Sequence, residues 1–199
     1  MTDAPLALGL TLIAAYFAGS IPFGLIFTRL AGKGDIRSIG SGNIGTTNVL
    51  RTGSKSLAAL TLIFDAGKGA AIVLVVLSHT DQNSAAAAGV AAVIGHCFPI
   101  WLSFKGGKGV ATSLAVYAAY DIKLGGLFIL AWLTIAFLFR YSSAAALGAT
   151  LLTTIAAVVL GVSEGTVLAI GVISALVWMR HHENIGRLLS GTESKIGKK

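Results

Sequence analysis

The residues best equipped for chemistry lie in Ser103-Phe104-Lys105-Gly106-Gly107-Lys108-Gly109-Val110-Ala111-Thr112, a glycine–lysine stretch between two apolar runs. Glycine lets backbone N–H groups turn toward one point, and Lys105 and Lys108 add fixed positive charge beside them. From Val110 onward the pattern reads as a helix. The stretch therefore precedes a helix N-terminus, the end whose unpaired amides and dipole attract anions. Lys105, Gly106, Gly107, Lys108 and Gly109 are read as a phosphate-binding loop, although glycine–lysine loops also serve as ordinary turns.

Two further polar segments carry candidate groups. Between Asp35 and Arg51, Ser41, Asn43 and Asn48 can donate to a phosphate or a glycerol, and Arg51 can bind phosphate through two parallel bonds. A plain capped helix beginning at Asn43 or Thr46, with Arg51 facing lipid headgroups, suits the same residues. Gly40-x-Gly42-x-x-Gly45 has dinucleotide-binding spacing, and Asp65 follows at about the right interval. No strand precedes it, however, and Asp65 lies in an apolar run, so that motif is a decoy. In the third segment His181, Asn184 and Leu188 fall on one helical face, flanked by His182 and Arg187. A cationic tail lying on lipid headgroups explains Lys195, Lys198 and Lys199, but not the uncharged Asn184.

Other chemistries are disfavoured. Asp65 and Lys68, three apart on a helix, read as a structural ion pair. His96 adjoins the loop and is either a satisfied buried histidine or part of the site. Cys97 beside it makes a poor Cys–His pair, because successive helical residues point about 100° apart. His181, His182 and Glu183 are consecutive and cannot converge on a metal, so no metal or other cofactor is expected. The His-to-Asp acyltransferase pattern, G-x-S-x-G and Walker A are absent.

The elements that must position these groups are membrane helices. Of 199 residues, 55% are apolar and only 12% charged, and the mean hydropathy is +0.82. Soluble domains carry roughly twice that share of charge. The expected fold is all-α, a polytopic membrane protein forming a single domain over residues 1–199. Its net charge of +7 is scattered between apolar runs, which fits positive-inside topology and not a nucleic-acid surface. One cysteine excludes an intrachain disulfide.

Apolar runs predict spans at about 6–30, 57–77, 85–102, 110–120, 124–139, 144–161 and 166–179, the first kinked by Pro22 near Gly19-Ser20. With the N-terminus outside and the C-terminus cytoplasmic, the inner side holds nearly all the basic residues. Lys123 alone falls outside, with Asp3, Asp81, Asp121 and Glu164. Seven transmembrane helices in that orientation are expected. A helix over 110–120 rises only ~16 Å at ~1.5 Å per residue, against a ~30 Å hydrocarbon core. The preceding loop must therefore dip below the cytoplasmic surface, where irregular backbone survives only inside protein or beside a wet cavity.

Together the motifs resemble a known family. Ser41-Gly42-Asn43-x-Gly45-x-x-Asn48-x-x-Arg51, then Gly95-His96-x-x-Pro99 with Phe104 to Thr112, then His181-x-x-Asn184-Ile185-x-Arg187-Leu188-x-x-Gly191-x-Glu193, look like the three cytoplasmic motifs of the bacterial membrane acyl-phosphate:glycerol-3-phosphate acyltransferases. The resemblance covers the whole chain, and it implies acyl transfer from an acyl phosphate to the 1-hydroxyl of glycerol 3-phosphate, giving lysophosphatidic acid and phosphate. It implies Ser41, Arg51, Lys108, His181 and Asn184 at the active site, shaped by Gly42, Asn43, Asn48, His96, Lys105 and Gly106 to Gly109. Arg187 flanks this site. Ser143 matches one of two serines usual after the fifth span, Ala146 stands in place of the other, and Thr46 replaces a usual alanine. The implied location is the bacterial inner membrane, with the site facing the cytoplasm. The implied partners are the two substrates and membrane lipid, with no nucleic acid and no obligate protein partner.

An acyl phosphate is already activated, so the expected catalysis is positioning plus charge stabilisation, with no covalent nucleophile. The resemblance suggests that the donor's own phosphate accepts the hydroxyl proton, leaving His181 to orient substrate. The rival is an anion transporter, which could use the same basic pocket and glycine content. Against it, the polar motifs share one side and the outer loops are short and acidic.

Overall fold

The computed structural model describes residues 3–197, and all of its regular structure is helical. Lys198 and Lys199, and the side chain of Asp3, lie outside the described residues. The first helix, α1 (Asp3–Gly19), breaks where Pro22 lacks an N–H and resumes as α2 (Phe23–Leu30). The break frees the carbonyl of Ile21, which Lys68 Nζ on a later helix reaches at 2.8 Å. After a polar segment and the short α3 (Thr46–Leu50) come α4 (Lys55–His79) and α5 (Gln82–Cys97). The hydroxyl of Ser54 caps α4 through the Leu57 amide, and Asp81 caps α5 through the amides of Asn83 and Ser84. The chain continues through α6 (Val110–Tyr120), α7 (Ile122–Phe139), α8 (Ser142–Val159), α9 (Glu164–Arg180) and α10 (His182–Leu189).

Five segments are long and apolar enough to cross a membrane: Ala4–Leu30, Lys55–His79, Gln82–Leu102, Ile122–Phe139 and Ser142–Val159. The other two expected spans are shorter helices, α6 with 11 residues and α9 with 17. The protein is thus a multi-pass, all-helical membrane protein.

α5 is the central post, packed against α1, α4 and α9. Against α1 the approach is backbone to backbone. A Cβ added to Gly19 would strike the Ala92 backbone, and one added to Gly95 the Tyr16 carbonyl. Two small residues facing each other let helices approach where no water drives them together. α6 packs on α4, α5, α7 and α9, and α8 on α7 and α9. Val73, Val93, Val116, Tyr117, Phe128 and Ile173 fill the interior, while the lipid-facing side is studded with exposed Leu, Ile and Phe. A smaller apolar cluster of Leu25, Ile36, Ile44, Val49 and Ala58 underlies the Asp35–Arg51 segment. Between α1, α5 and α9 runs an open apolar groove of about 790 Å³, with Asn83 and Glu164 among its lining residues.

Candidate active site

The glycine–lysine loop is built back onto α5. After Cys97 the chain turns through Pro99 and a single 3-10 turn, Ile100–Leu102. Ser103 and Phe104 then adopt left-handed backbone, with φ of 50° and 62°. The returning strand of loop runs beside the end of α5. The Gly106 amide donates to Cys97 O at 3.1 Å and the Gly107 amide to His96 O at 2.9 Å. Arg180, the last residue of α9, clasps the other side. Its Nε donates to Gly107 O at 3.1 Å and its Nη2 to Gly106 O at 3.2 Å, with the guanidinium 5.3 Å from the Phe98 ring centre.

This arrangement corrects one expectation. Gly106 and Gly107 do not offer their amides to a ligand, because both are bonded to protein carbonyls. They are glycines because nothing larger fits. A Cβ on Gly107 would overlap the His96 imidazole, and one on Gly106 the His96 carbonyl. Along this loop the amides without a protein acceptor come directly after, from Lys108 and Gly109 into the first turn of α6 at Val110, Ala111 and Thr112; the Ser113 amide is already bonded to Gly109 O. The amides open to an anion are therefore those leading into the first turn of α6, with Lys108 beside them and Gly109 (φ 84°) making the bend. The His96 ring is buried behind the loop. Lys105 is exposed at the surface.

Lys108 meets the third segment. Its Nζ donates to Asn184 Oδ1 at 2.6 Å, and Asn184 Nδ2 donates to Glu193 Oε1 at 2.6 Å. Ser143 Oγ reaches the same Glu193 oxygen at 2.7 Å, while Arg187 Nε holds Oε2 at 2.6 Å. The helix does not run straight through this segment. α9 stops at Arg180, His181 sits at the joint, and α10 begins at His182. His181 is buried, and its Nδ1 lies 2.7 Å from the Val177 carbonyl. A carbonyl can only accept, so Nδ1 carries the proton and Nε2 keeps its lone pair.

Electrostatics follow from this crowding. Burial, then the nearby Arg187 charge, lowers the Lys108 ammonium below the usual lysine range. Burial lowers His181 to about 4, only partly opposed by its bond to Val177. Burial alone would raise Glu193, but the bonds from Ser143, Asn184 and Arg187 outweigh it and hold the carboxyl below its ordinary value.

The first polar segment is stitched by Asn48, which is only 2% exposed. Its Nδ2 faces the carbonyls of Ile36, Ile39 and Asn43 at 2.9, 3.1 and 2.8 Å. Its Oδ1 accepts from the Ser41 amide at 3.0 Å and from Arg51 Nη1 at 3.1 Å. The type and place of Asn48 suit donation to a phosphate, but its amide is wholly engaged in holding the loop and aiming Arg51. Asn43 turns its Oδ1 inward to the Gly45 amide at 2.9 Å. Gly42 has φ of 65°, which lets the loop double back below Ser41. Arg51 Nη2 reaches Ser194 Oγ at 3.1 Å, one residue beyond Glu193. Through that contact the first segment joins the other two, and Arg51, Lys108 and Asn184 belong to one connected network.

A family model described as glycerol-3-phosphate acyltransferase matches residues 9–191. The chain belongs to that family. A glycerol-3-phosphate acyltransferase of Mesorhizobium japonicum is 54% identical over 190 residues, covering 96% of each chain. One of Agrobacterium fabrum is 52% identical over 196 residues, covering 98% of this chain and 95% of its own. Among solved structures, a crystal structure of PlsY (YgiH), an integral membrane glycerol 3-phosphate acyltransferase in its glycerol 3-phosphate form, superposes with a TM-score of 0.92. It has 37% identity and covers 96% of each chain. The lysophosphatidic acid form of PlsY superposes with a TM-score of 0.90, at the same identity.

Two residues that hold the candidate site together were not legible as such in the sequence. Arg180 ends an apolar helix, which reads as an interfacial positive-inside charge. Glu193 stood in the third motif without a role. A signal existed for each: a cation directly abutting His181, and the one acid after α10 among lysines.

Proposed function

We propose that this acyltransferase moves an acyl group from an acyl phosphate to the 1-hydroxyl of glycerol 3-phosphate, releasing lysophosphatidic acid and inorganic phosphate. The observation that carries this reading is the Lys108–Asn184–Glu193 junction. Residues far apart in sequence meet at 2.6 Å beside unpaired amides of α6, in a chain whose relatives act on glycerol 3-phosphate. Lys108 and the first turn of α6 hold one phosphate, and Arg51, aimed by Asn48 and flanked by Ser41 and Asn43, holds charge on the other. Gly42, Gly106, Gly107 and Gly109 give the backbone its path, and Lys105 adds long-range attraction at the rim. Asn184, Ser143 and Arg187, gathered by Glu193, fix the substrate's orientation.

In the reaction the 1-hydroxyl oxygen bonds to the acyl carbon, and the bond from that carbon to the bridging phosphate oxygen breaks with its electrons leaving on the phosphate. The hydroxyl proton goes to that phosphate. As the bond to the acyl carbon breaks, the departing phosphate gains negative charge and with it basicity, whereas burial holds His181 at about 4. His181 is thus the weaker base, and its Nε2 lone pair orients the hydroxyl without removing the proton. No cofactor is needed in this scheme. The best-supported setting is the bacterial inner membrane, with seven helices, the N-terminus outside and the site on the cytoplasmic side, in one domain along the chain. The positive-inside distribution and the shortness of α6 support that topology.

Purified protein in detergent, given acyl phosphate and glycerol 3-phosphate, should release phosphate only when both are present. Equal phosphate release without glycerol 3-phosphate, or acyl transfer from an acyl thioester alone, would refute the donor assignment.

A further inference from the structure

Behind the loop, three ionisable side chains sit in the helical interior. Asp65 and Lys68 on α4 pair at 2.8 Å, with side chains 2% and 4% exposed. Lys68 also donates to Ile21 O at the α1–α2 break and lies over the Phe23 ring. A charge pair this deep costs more to bury than its attraction commonly returns, so mutual neutralisation alone is a weak reason for it to exist.

The geometry supplies a stronger one. Asp65 Oδ1 faces Nδ1 of His96 at 3.7 Å, and that nitrogen is fully buried with no hydrogen-bond partner. The opposite nitrogen of the same ring, Nε2, is the atom that leaves no room for a Cβ on Gly107. The His96 carbonyl also takes the Gly107 amide. The same turn of α4 is tied to the first turn of α6, because Thr112 Oγ1 donates to Asp65 O at 2.9 Å. A continuous line of contacts therefore runs from Lys68 through Asp65, His96 and Gly107 to Lys108.

We propose that Asp65 and Lys68 are positioning residues: acting through the His96 ring, they set the depth of the Gly106–Lys108 loop and hence the place of Lys108 in the phosphate site. Lys68 fixes the Asp65 carboxylate, the carboxylate fixes the tilt of the imidazole, and the imidazole face sets how far Gly107 can sink. The inference rests on the acyltransferase reading above. A misplacement of the phosphate-binding group by about 1 Å can cost about 10²-fold in turnover efficiency.

The test replaces the pair by apolar residues of similar size, Asp65→Leu with Lys68→Met, and measures melting in detergent, glycerol 3-phosphate binding by calorimetry, and kcat and KM separately. Turnover of the unsubstituted protein on the same substrates checks the acyltransferase reading, so only the ratio of variant to parent bears on this proposal. The expected result is a melting temperature at or above the parent's, with weaker glycerol 3-phosphate binding and kcat/KM lower by about 10- to 10²-fold, carried mainly by KM. Parental KM and binding in the double variant would overturn the proposal. His96→Ala completes a cycle: its loss should shrink to near nothing in the apolar-pair background, and full additivity would equally overturn it. If the double variant does not fold, Asp65→Asn decides instead, with raised KM and weaker glycerol 3-phosphate binding expected in protein that still melts cooperatively, and parental KM and binding the contrary result.

Discussion

Substituting Lys108→Met separates a residue that serves the substrate from one that holds the fold. Two opposing effects act on the folded protein without substrate. The Asn184 carbonyl loses its donor, which costs about 1–3 kcal/mol. Against that, the folded protein no longer has to bury an ammonium beside Arg187, the two influences that lower its pKa. Their difference should leave stability within about 2 kcal/mol of the parent. The reaction loses more. Removing a hydrogen-bonded charge that holds and orients a substrate phosphate costs about 2–5 kcal/mol. Thermal unfolding in detergent and phosphate release on one preparation give both numbers. The expected result is near-parental melting with kcat/KM down by about 10²–10³, within that range. Activity within about tenfold of the parent, or a loss that merely tracks unfolding, would refute the role given to Lys108.

Three further outcomes follow from the same contacts. Glu193→Gln sets an amide N–H₂ against Arg187 or against the Ser143–Asn184 donors, and should cost about 2–4 kcal/mol of stability by denaturant titration; an unchanged midpoint would show that the tail does not organise the site. His181 titrates at about 4 folded against 6.5 free, so unfolded chains bind its proton first as pH falls. Stability should be untouched above pH 6.5, decline between there and about 4 by roughly 3 kcal/mol, and decline less steeply in His181→Gln; identical pH curves for the two proteins would contradict this. Gly107→Ala forces a methyl against the His96 ring and should raise KM for glycerol 3-phosphate while costing about 1–3 kcal/mol of stability, read by steady-state kinetics and melting.

The fold was largely legible because a bilayer leaves few options. The apolar runs marked the long helices but not α3 or α10, α6 begins and ends at Val110 and Tyr120 as its pattern indicates, and Pro22 broke the first span where its missing N–H requires. The Asp65–Lys68 pairing also followed from spacing alone. The site was legible as three motifs but not as roles, because a polar residue in a motif can face the ligand or the loop that holds it. Asn48 shows this most clearly: its type suits phosphate binding, yet its donors all end on backbone carbonyls. Gly106 and Gly107 likewise have the type of amide donors to a ligand, yet they are the places where chain passes His96 and Arg180 closely. No local pattern reveals that choice, since it depends on which distant carbonyls the fold brings near.

The position of the phosphate in crystals grown with glycerol 3-phosphate bears most directly on the site. It should lie within hydrogen-bonding distance of Lys108 Nζ and the first-turn amides of α6, on the side of Asn184. A phosphate bound instead at the far end of the bundle, near Glu164 and Asn83, with the Lys108 region empty, would contradict the proposed site.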